Sequence, residues 1–249
     1  MCGRFALATE PARVARFFHA TMEAALVSAG RPPSWNVAPT DEVLGLRAES
    51  GDGTAPERQL GLYRWGLVPW WAEDPSTGNR LFNARAEAVF RTRAFREAAA
   101  ERRLVVPADG FYEWHAEGGR RQPHYFTRGD GAPLAFAGVW ETWRERGGAE
   151  RHIRSCTVIT TGAGPDMDGI HDRMPVVLGP DELSRWIDPE GPDPEELEFL
   201  LRPAPAGTLV HHRVDPRVGN VRQNDAALVN PVTGPPPGTT PSLFGDEAD

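Results

Sequence analysis

The sequence predicts an α+β domain, with a largely antiparallel, barrel-like β-sheet core and flanking helices. Two patterns predict it. Between residues 103 and 178 the apolar and aromatic residues fall in short period-two runs punctuated by Gly, Pro and Asp. Those runs cluster in the middle of the chain, whereas a parallel sheet would interleave them with helices. The length, 249 residues with 40% hydrophobic, is enough to bury one substantial core.

Taken in order, Thr9 to Gly30 reads as a first helix. Thr9 is the N-cap, Pro11 lies in the first turn, Val14, Phe17, Phe18, Met22 and Leu26 form the buried face, and Gly30 is the stop. "PPSWNVAPT" follows as a turn segment, then the short strand "VLGLR" and a Gly/Asp/Pro loop. "LGLYRWGLVPWW" brings three tryptophans within seven residues. A second helix is expected from Ala84 to Arg103, broken near Arg93. "RLVVP", "GFYEWH", "HYFT", "LAFAGVW", "SCTVITT" and "MPVVL" are the strands of the sheet. Helices near 181–187 and 193–202 and a strand "TLVHHRV" complete a domain spanning residues 2–232. Residues 233–249, Pro/Gly-rich and acidic, read as a disordered tail.

The net charge of −8 argues at first against nucleic acid. Its distribution changes that reading, because residues 1–180 hold 22 Arg against 22 acids and residues 181–249 hold 5 against 13. A neutral body can carry a basic groove. All 27 basic residues are arginine, so the α-amine is the single primary amine of the chain. No apolar run is long enough for a membrane span, and the two cysteines form neither a disulfide scaffold nor a zinc set. The expectation is a cytoplasmic, monomeric protein in a reducing compartment, with no membrane contact, metal or cofactor.

Chemistry concentrates in four places. Removal of Met1, usual when residue 2 is small, would leave Cys2 with an α-amine beside a thiol. Such a 1,2-aminothiol condenses with an aldehyde to an imine and then closes a thiazolidine ring; alternatively Cys2 is an incidental small residue. Gly3 leaves room at the backbone, and Arg4 offers a bidentate clamp for phosphate. In "FNARAE", Asn83 is either an N-cap or an amide that positions nucleophile or substrate, and Arg85 either a phosphate ligand or a solvated side chain. Glu113 in "GFYEW" shares a strand face with Phe111 and His115; buried there, it would be a general acid/base at neutral pH, and on an open face an ordinary glutamate. "GIHDRMPVVL" places His171, Asp172 and Arg173 in a loop before a strand, as proton carrier, orienting acid and phosphate ligand, or as plain surface groups. Pro69 suggests a turn that exposes Trp70 or Trp71 to stack an unpaired base.

"MCGRF", "WNVAPT", "WGLVPWW", "FNARAE", "VPADGFYEW", "TTGAGPDMDGIHDRMPVVL" and "VGNV" occur in one order, and in that order the chain resembles the SOS response-associated peptidase (SRAP) family from residue 2 to about 232. The resemblance implies a DNA-damage protein that recognises abasic sites in single-stranded DNA and crosslinks to them through Cys2. It implies catalytic roles for Asn83, Glu113 and His171, and phosphate contacts for Arg4, Arg85 and Arg173. It further implies a DNA path along Trp70 and Trp71, and a strand-duplex junction near Asn36 to Pro39. Trp35 stands where a tyrosine often occurs. Nucleoid association when bound, AP-lyase activity and autoproteolytic loss of Met1 belong to the same implication. "TPSLF" in the tail is weakly similar to sliding-clamp peptides but lacks their glutamine.

A rival class is the N-terminal-nucleophile amidohydrolase or peptidase, in which the Cys2 thiol attacks a carbonyl and the amine serves as base. Class II glutamine amidotransferases share an N-terminal Cys-Gly, but not the blocks around Asn83, Glu113 and His171. A non-covalent single-strand binder with an idle Cys2 is the other alternative.

Overall fold

A computed structural model of the chain describes residues 2–50, 56–117, 119–146 and 151–232. Its first half runs β1 (Phe5–Leu7), α1 (Pro11–Phe17), β2 (Thr21–Met22), α2 (Ala24–Ala29), β3 (Ser34–Val37), β4 (Glu42–Glu49), β5 (Glu57–Trp65), β6 (Asn83–Arg85), α3 (Arg96–Glu101) and β7 (Arg103–Ala108). The second runs β8 (Gly110–Glu117), β9 (Arg120–Arg128), β10 (Leu134–Arg144), β11 (His152–Gly162), β12 (Arg173–Pro175), α4 (Pro180–Ile187), α5 (Pro194–Leu200) and β13 (Leu209–Arg213). The class is α+β, as expected.

Five strands close on themselves. β11 pairs with β10, β10 with β7, β7 with β4 and β4 with β5, all antiparallel, and a short parallel pairing of β5 with β11 completes the ring. A second, wholly antiparallel sheet runs β13-β9-β8-β1-β3. Aromatic rings join the two: Phe5 lies 5.1 Å from Trp65 and Phe111 5.9 Å from Phe136, with Phe126 stacked on Phe111 at 5.0 Å. All five rings are fully buried, so the hydrophobic effect is concentrated at this seam.

The edge of β11 away from β10 is shared by two short segments, and a third continues the β10 side beyond the end of the β10 pairing. β5 pairs with the far edge at Ser155 and Cys156 and β6 at Val158 to Thr160, while β12 takes the β10 side at Thr160 to Gly162. Where β5 leaves the ring, Gly66 adopts φ 129°, and a Cβ there would meet the Gly78 carbonyl oxygen at 2.5 Å. Only glycine fits that exit.

Two helical expectations are corrected. Residues 9–30 do not form one helix: α1 ends at Phe17, His19 turns the chain at φ 52°, and β2 adds to the edge of β5 before α2 begins. The competing force is tertiary, because the Glu23 carboxylate is gripped by Arg154 (2.6 and 2.9 Å) and Arg47 (3.1 Å) just after β2. Thr9 does not cap the helix; its backbone and hydroxyl donate to Asp109 instead. Residues 84–103 likewise give only a six-residue α3, because Asn83 to Arg85 are drawn into β6 on the β11 edge. Ala-rich composition favoured the helix there, and an open sheet edge outweighed it. β1, β2, β3 and the full length of β5 went unpredicted. The expected tail at 233–249, with its clamp-like peptide, lies outside the described residues. Among the described residues no helix is long and apolar enough to cross a membrane.

Trp65 ties the fold to the N-terminal strand, since its ring packs on Phe5 and its Nε1–H donates to the Phe82 carbonyl at 2.8 Å. Trp65→Ala should therefore lower the unfolding free energy in urea titrations by about 3–5 kcal/mol, the range for emptying a large buried aromatic site. Trp65→Phe should lose markedly less.

Candidate active site

The seam between the barrel and the five-stranded sheet brings the sequence-predicted residues together. β1 pairs with β8 through Phe5 and Phe111, and the Tyr112 N–H donates to the Arg4 carbonyl, so the pairing continues toward the N-terminus. Gly3 then falls beside Glu113 with no side chain to crowd it. Cys2, 1% exposed, is fixed from the barrel side, where Asn83 Nδ2 donates to its carbonyl at 2.6 Å. Asn83 Oδ1 is buried and has no hydrogen-bond partner among the described residues. β6 therefore presents an amide with one end holding Cys2 and the other open.

Burial raises the Cys2 thiol well above the ordinary range, and the nearby Glu113 charge adds to it, so the sulfur is held as a thiol at neutral pH. Its Sγ lies 3.9 Å from the Arg4 carbonyl. Glu113 is 2% exposed, and burial pushes its carboxyl up to about 7 against the pull of the Trp114 N–H and of Arg121. A group titrating there both donates and accepts protons near neutrality. Asp172 acts in the opposite direction to Arg121, raising Glu113.

His171 Nε2 stands 3.8 Å from Glu113 Oε2. The Arg173 N–H donates to His171 Nδ1 at 2.9 Å, which leaves the proton of the neutral ring on Nε2, toward Glu113. Asp172 Oδ1 is also 3.0 Å from Nδ1, but that carboxylate is 88% exposed. The backbone donor is the better-placed orienting group. Burial lowers the His171 pKa, so the imidazole is neutral at pH 7. Beside it an open cavity of about 580 Å³ is lined by Ala163 to Pro165 and Asp168 to Asp172.

The arginines divide into two kinds. Arg4 donates to Asn36 Oδ1 and to the Val218 carbonyl, both at 2.8 Å, and lies over the Trp114 ring. Arg173 holds Glu87 bidentately at 2.6 and 3.1 Å and the Thr160 carbonyl at 2.5 Å. Arg85, exposed at the end of β6, makes no hydrogen bond or ion pair among the described residues. Asn36, expected near a strand-duplex junction, is an interior residue. It is 3% exposed, and its Nδ2 donates to the carbonyls of Val218, Asn220 and Gln223. It therefore positions Arg4 and the "VGNV" loop, while Pro39 is half-buried.

Pro69 does start a turn, closed by the Ala72 N–H on its carbonyl. Trp70 is 52% exposed and donates to Glu97, and Trp71 is half-buried beneath Arg93, whose guanidinium carbon is 4.4 Å from the ring centre. Glu87, Arg93 and Arg121 are site residues that sequence reasoning missed. Only Glu87 had a local signal, lying two residues beyond Arg85 in a strand-like spacing. The His124 and His211 Nδ1 atoms approach to 3.1 Å, but no three metal-ligating groups converge among the described residues.

A family model described as SOS response associated peptidase (SRAP) matches residues 1–221. The chain is similar to the abasic site processing protein YoqW of Bacillus subtilis, at 34% identity over 92% of this chain and 99% of that protein. It is also similar to the abasic site processing protein YedK of Escherichia coli, at 32% identity over 93% of this chain and the whole of the other. A crystal structure of a protein from Bacteroides thetaiotaomicron has the same fold, with TM-score 0.81 and 21% identity over 93% of this chain and all of that one.

The raised Glu113 carboxyl has a stability signature. Its native pKa of about 7 lies above the ordinary 4.5, so the native state binds the proton more tightly than the unfolded chain. Below pH 4.5 both states are protonated and ionisation carries no penalty; the penalty grows through pH 4.5–7 and is complete above. Glu113→Gln should accordingly be more stable than the parent at pH 8, by on the order of 2–3 kcal/mol, with the difference shrinking as pH falls to 4.5. Urea titrations at the two pH values check this, and an equal difference at both contradicts a buried, raised carboxyl.

Proposed function

The chain belongs to the SOS response associated peptidase (SRAP) family, and we propose that it captures abasic sites in single-stranded DNA by a covalent thiazolidine link to Cys2. The observation that carries the proposal is the placement of Cys2, tethered by Asn83 beside a buried carboxyl that titrates near neutrality. Its similarity to proteins named for abasic site processing supports the substrate, because an abasic deoxyribose opens to an aldehyde.

Loss of Met1 frees the Cys2 amine. The closed sugar opens when its ring oxygen takes a proton, and the His171 Nε2–H is the donor on the cavity side. The amine then adds to the aldehyde carbon, and Glu113 in its acid form protonates the departing hydroxyl, releasing water and leaving an imine. As a carboxylate Glu113 next takes the thiol proton while sulfur attacks the imine carbon; the imine nitrogen gains a proton and the five-membered ring closes. One C–N and one C–S bond form and one water leaves. The thiol must remain protonated until that moment, which its buried position favours. With no lysine in the chain, no side-chain amine competes for the aldehyde. The imine stage also permits β-elimination of the strand, a lyase side reaction.

On this reading Arg85, and Arg4 and Arg173 once a phosphate displaces their protein acceptors, hold the backbone. Trp70, and Trp71 under Arg93, provide the stacking surface for unpaired bases. Pro39 marks the side from which a duplex end would approach. Peptidase activity is confined in this proposal to release of Met1.

Incubation with a single-stranded oligonucleotide containing one abasic site should give a conjugate that survives a denaturing gel. Its mass should be that of Met1-free protein plus DNA less one water. Cys2→Ala and an N-terminal extension that cannot be removed should each abolish it. A conjugate of the same mass from either variant would refute the aminothiol mechanism.

A further inference from the structure

Four guanidinium groups surround the seam. Protein acceptors already engage two of them, Arg4 through Asn36 and Val218 and Arg173 through Glu87. Arg85 is one exception, on the barrel side. The other is Arg121, exposed on β9 of the five-stranded sheet, whose side chain makes no hydrogen bond or ion pair among the described residues.

Register fixes where Arg121 lies. β8 and β9 pair Trp114 with Pro123 and Ala116 with Arg121, so Arg121 is the diagonal neighbour of Trp114 on one sheet face. Diagonal positions on paired strands are about 7–8 Å apart, within reach of a long side chain. Arg4 lies over the same Trp114 ring, with its guanidinium carbon 5.9 Å from the centre. Trp114 thus carries Arg4 over its ring and has Arg121 as its diagonal neighbour, on the face of the β8–β9 pair opposite Glu113. The positive charge of Arg121 reaches inward as well. It favours ionisation of Glu113 and disfavours the charging of His171, so it is near both proton-carrying groups without bonding to either. An exposed cation beside a reaction centre, with no protein anion assigned to it, is a seat for an external anion.

We propose that Arg121 binds a phosphate of the captured strand on the bank of the seam opposite Arg85, so that two cations, one from each sheet, straddle the sugar held at Cys2. The proposal rests on the abasic-DNA reading and adds to it a second anchoring point from β9. The strand then crosses from β6 to the β8–β9 hairpin, and the nucleotide between the two phosphates is the one presented to the seam. Two-point anchoring of this kind aligns a flexible single strand before reaction, which a single phosphate contact does not do.

The test uses the full chain and a single-stranded oligonucleotide bearing a tetrahydrofuran abasic analogue, which has no aldehyde and binds without reacting. Arg121→Gln should weaken binding about five- to tenfold at low salt. It should also reduce the slope of log affinity against log salt by about 0.7, the value for one single-strand phosphate. Arg121→Lys should retain the slope. A neutral methylphosphonate, moved along the backbone, should weaken the parent at one position flanking the analogue and leave Arg121→Gln indifferent at that same position. An unchanged slope in Arg121→Gln, or additive effects at every methylphosphonate position, overturns the role of Arg121 alone. Absence of any crosslink from the parent protein with the reactive abasic strand, or a crosslink from Cys2→Ala, overturns the parent reading instead.

Discussion

The arrangement depends on the two edges of one long strand. β10 covers one side of β11 only as far as Val158, and the rest of that side and the whole of the other leave buried backbone donors and acceptors to be satisfied. No single strand does so. The Gly66 N–H reaches the Cys156 carbonyl, the Val158 N–H reaches the Phe82 carbonyl, and the Ala163 N–H reaches the Asp172 carbonyl. Each of these segments carries a group of the site within a residue or two: Trp65 under the N-terminal strand, Asn83 and Arg85, and the run from His171 to Arg173. Residues about ninety positions apart in the chain are thus brought to the two sides of one strand by backbone hydrogen bonding, before any side chain chooses a partner.

Electrostatics then divides the site into an interior and a rim. Inside, Glu113 and Cys2 are both pushed toward their uncharged forms by burial, which keeps two ionisable groups compatible with a seam lined by Phe5, Phe111 and Phe136. At the rim, positive charge is held in place by neutral or acidic protein groups: Asn36 and a carbonyl on Arg4, the Glu87 carboxylate on Arg173. Such groups keep the guanidinium planes oriented at a modest electrostatic cost, since these contacts are partly solvated. The body can therefore stay near neutral overall and still present a concentrated positive lip, as the balance of 22 arginines against 22 acids in residues 1–180 allows.

Much of this was legible in the sequence, and the failures have a common cause. The β-branched and aromatic runs marked the central strands, although β7 and most of β10 and β11 are buried on both faces and so show little alternation. The sequence left Glu113 open between a buried and a solvent-facing position, and the structure gives the buried one. Short edge segments were not legible: β1, β3 and β6 have three or four residues each, too few for periodicity, and their identity is decided by the strand they meet. Asn83 looked like a helix cap because Ala84, Ala86 and Ala88 follow it, and the β11 edge overrode that propensity. Asn36 stands in a segment read as a Pro-rich turn, and only the return of residues 218–223 buries it. Arg121 had no local signal at all, since its importance comes from hairpin register.

The role proposed for Cys2 faces a physical difficulty, because chain termini fray unless something ties them down. Here the tie is unusually close to the end. β1 starts at Phe5, pairs with β8 on one side and β3 on the other, and places Phe5 against Trp65. Gly3 alone separates Arg4, whose carbonyl continues the ladder, from Cys2, whose carbonyl is held by Asn83. With the residue's carbonyl fixed at one end and its side chain buried, the freedom left at Cys2 is chiefly at its nitrogen, the atom that in the proposed mechanism first meets an aldehyde. Placement of the proposed nucleophile and packing of the aromatic seam are in this way two consequences of one short strand.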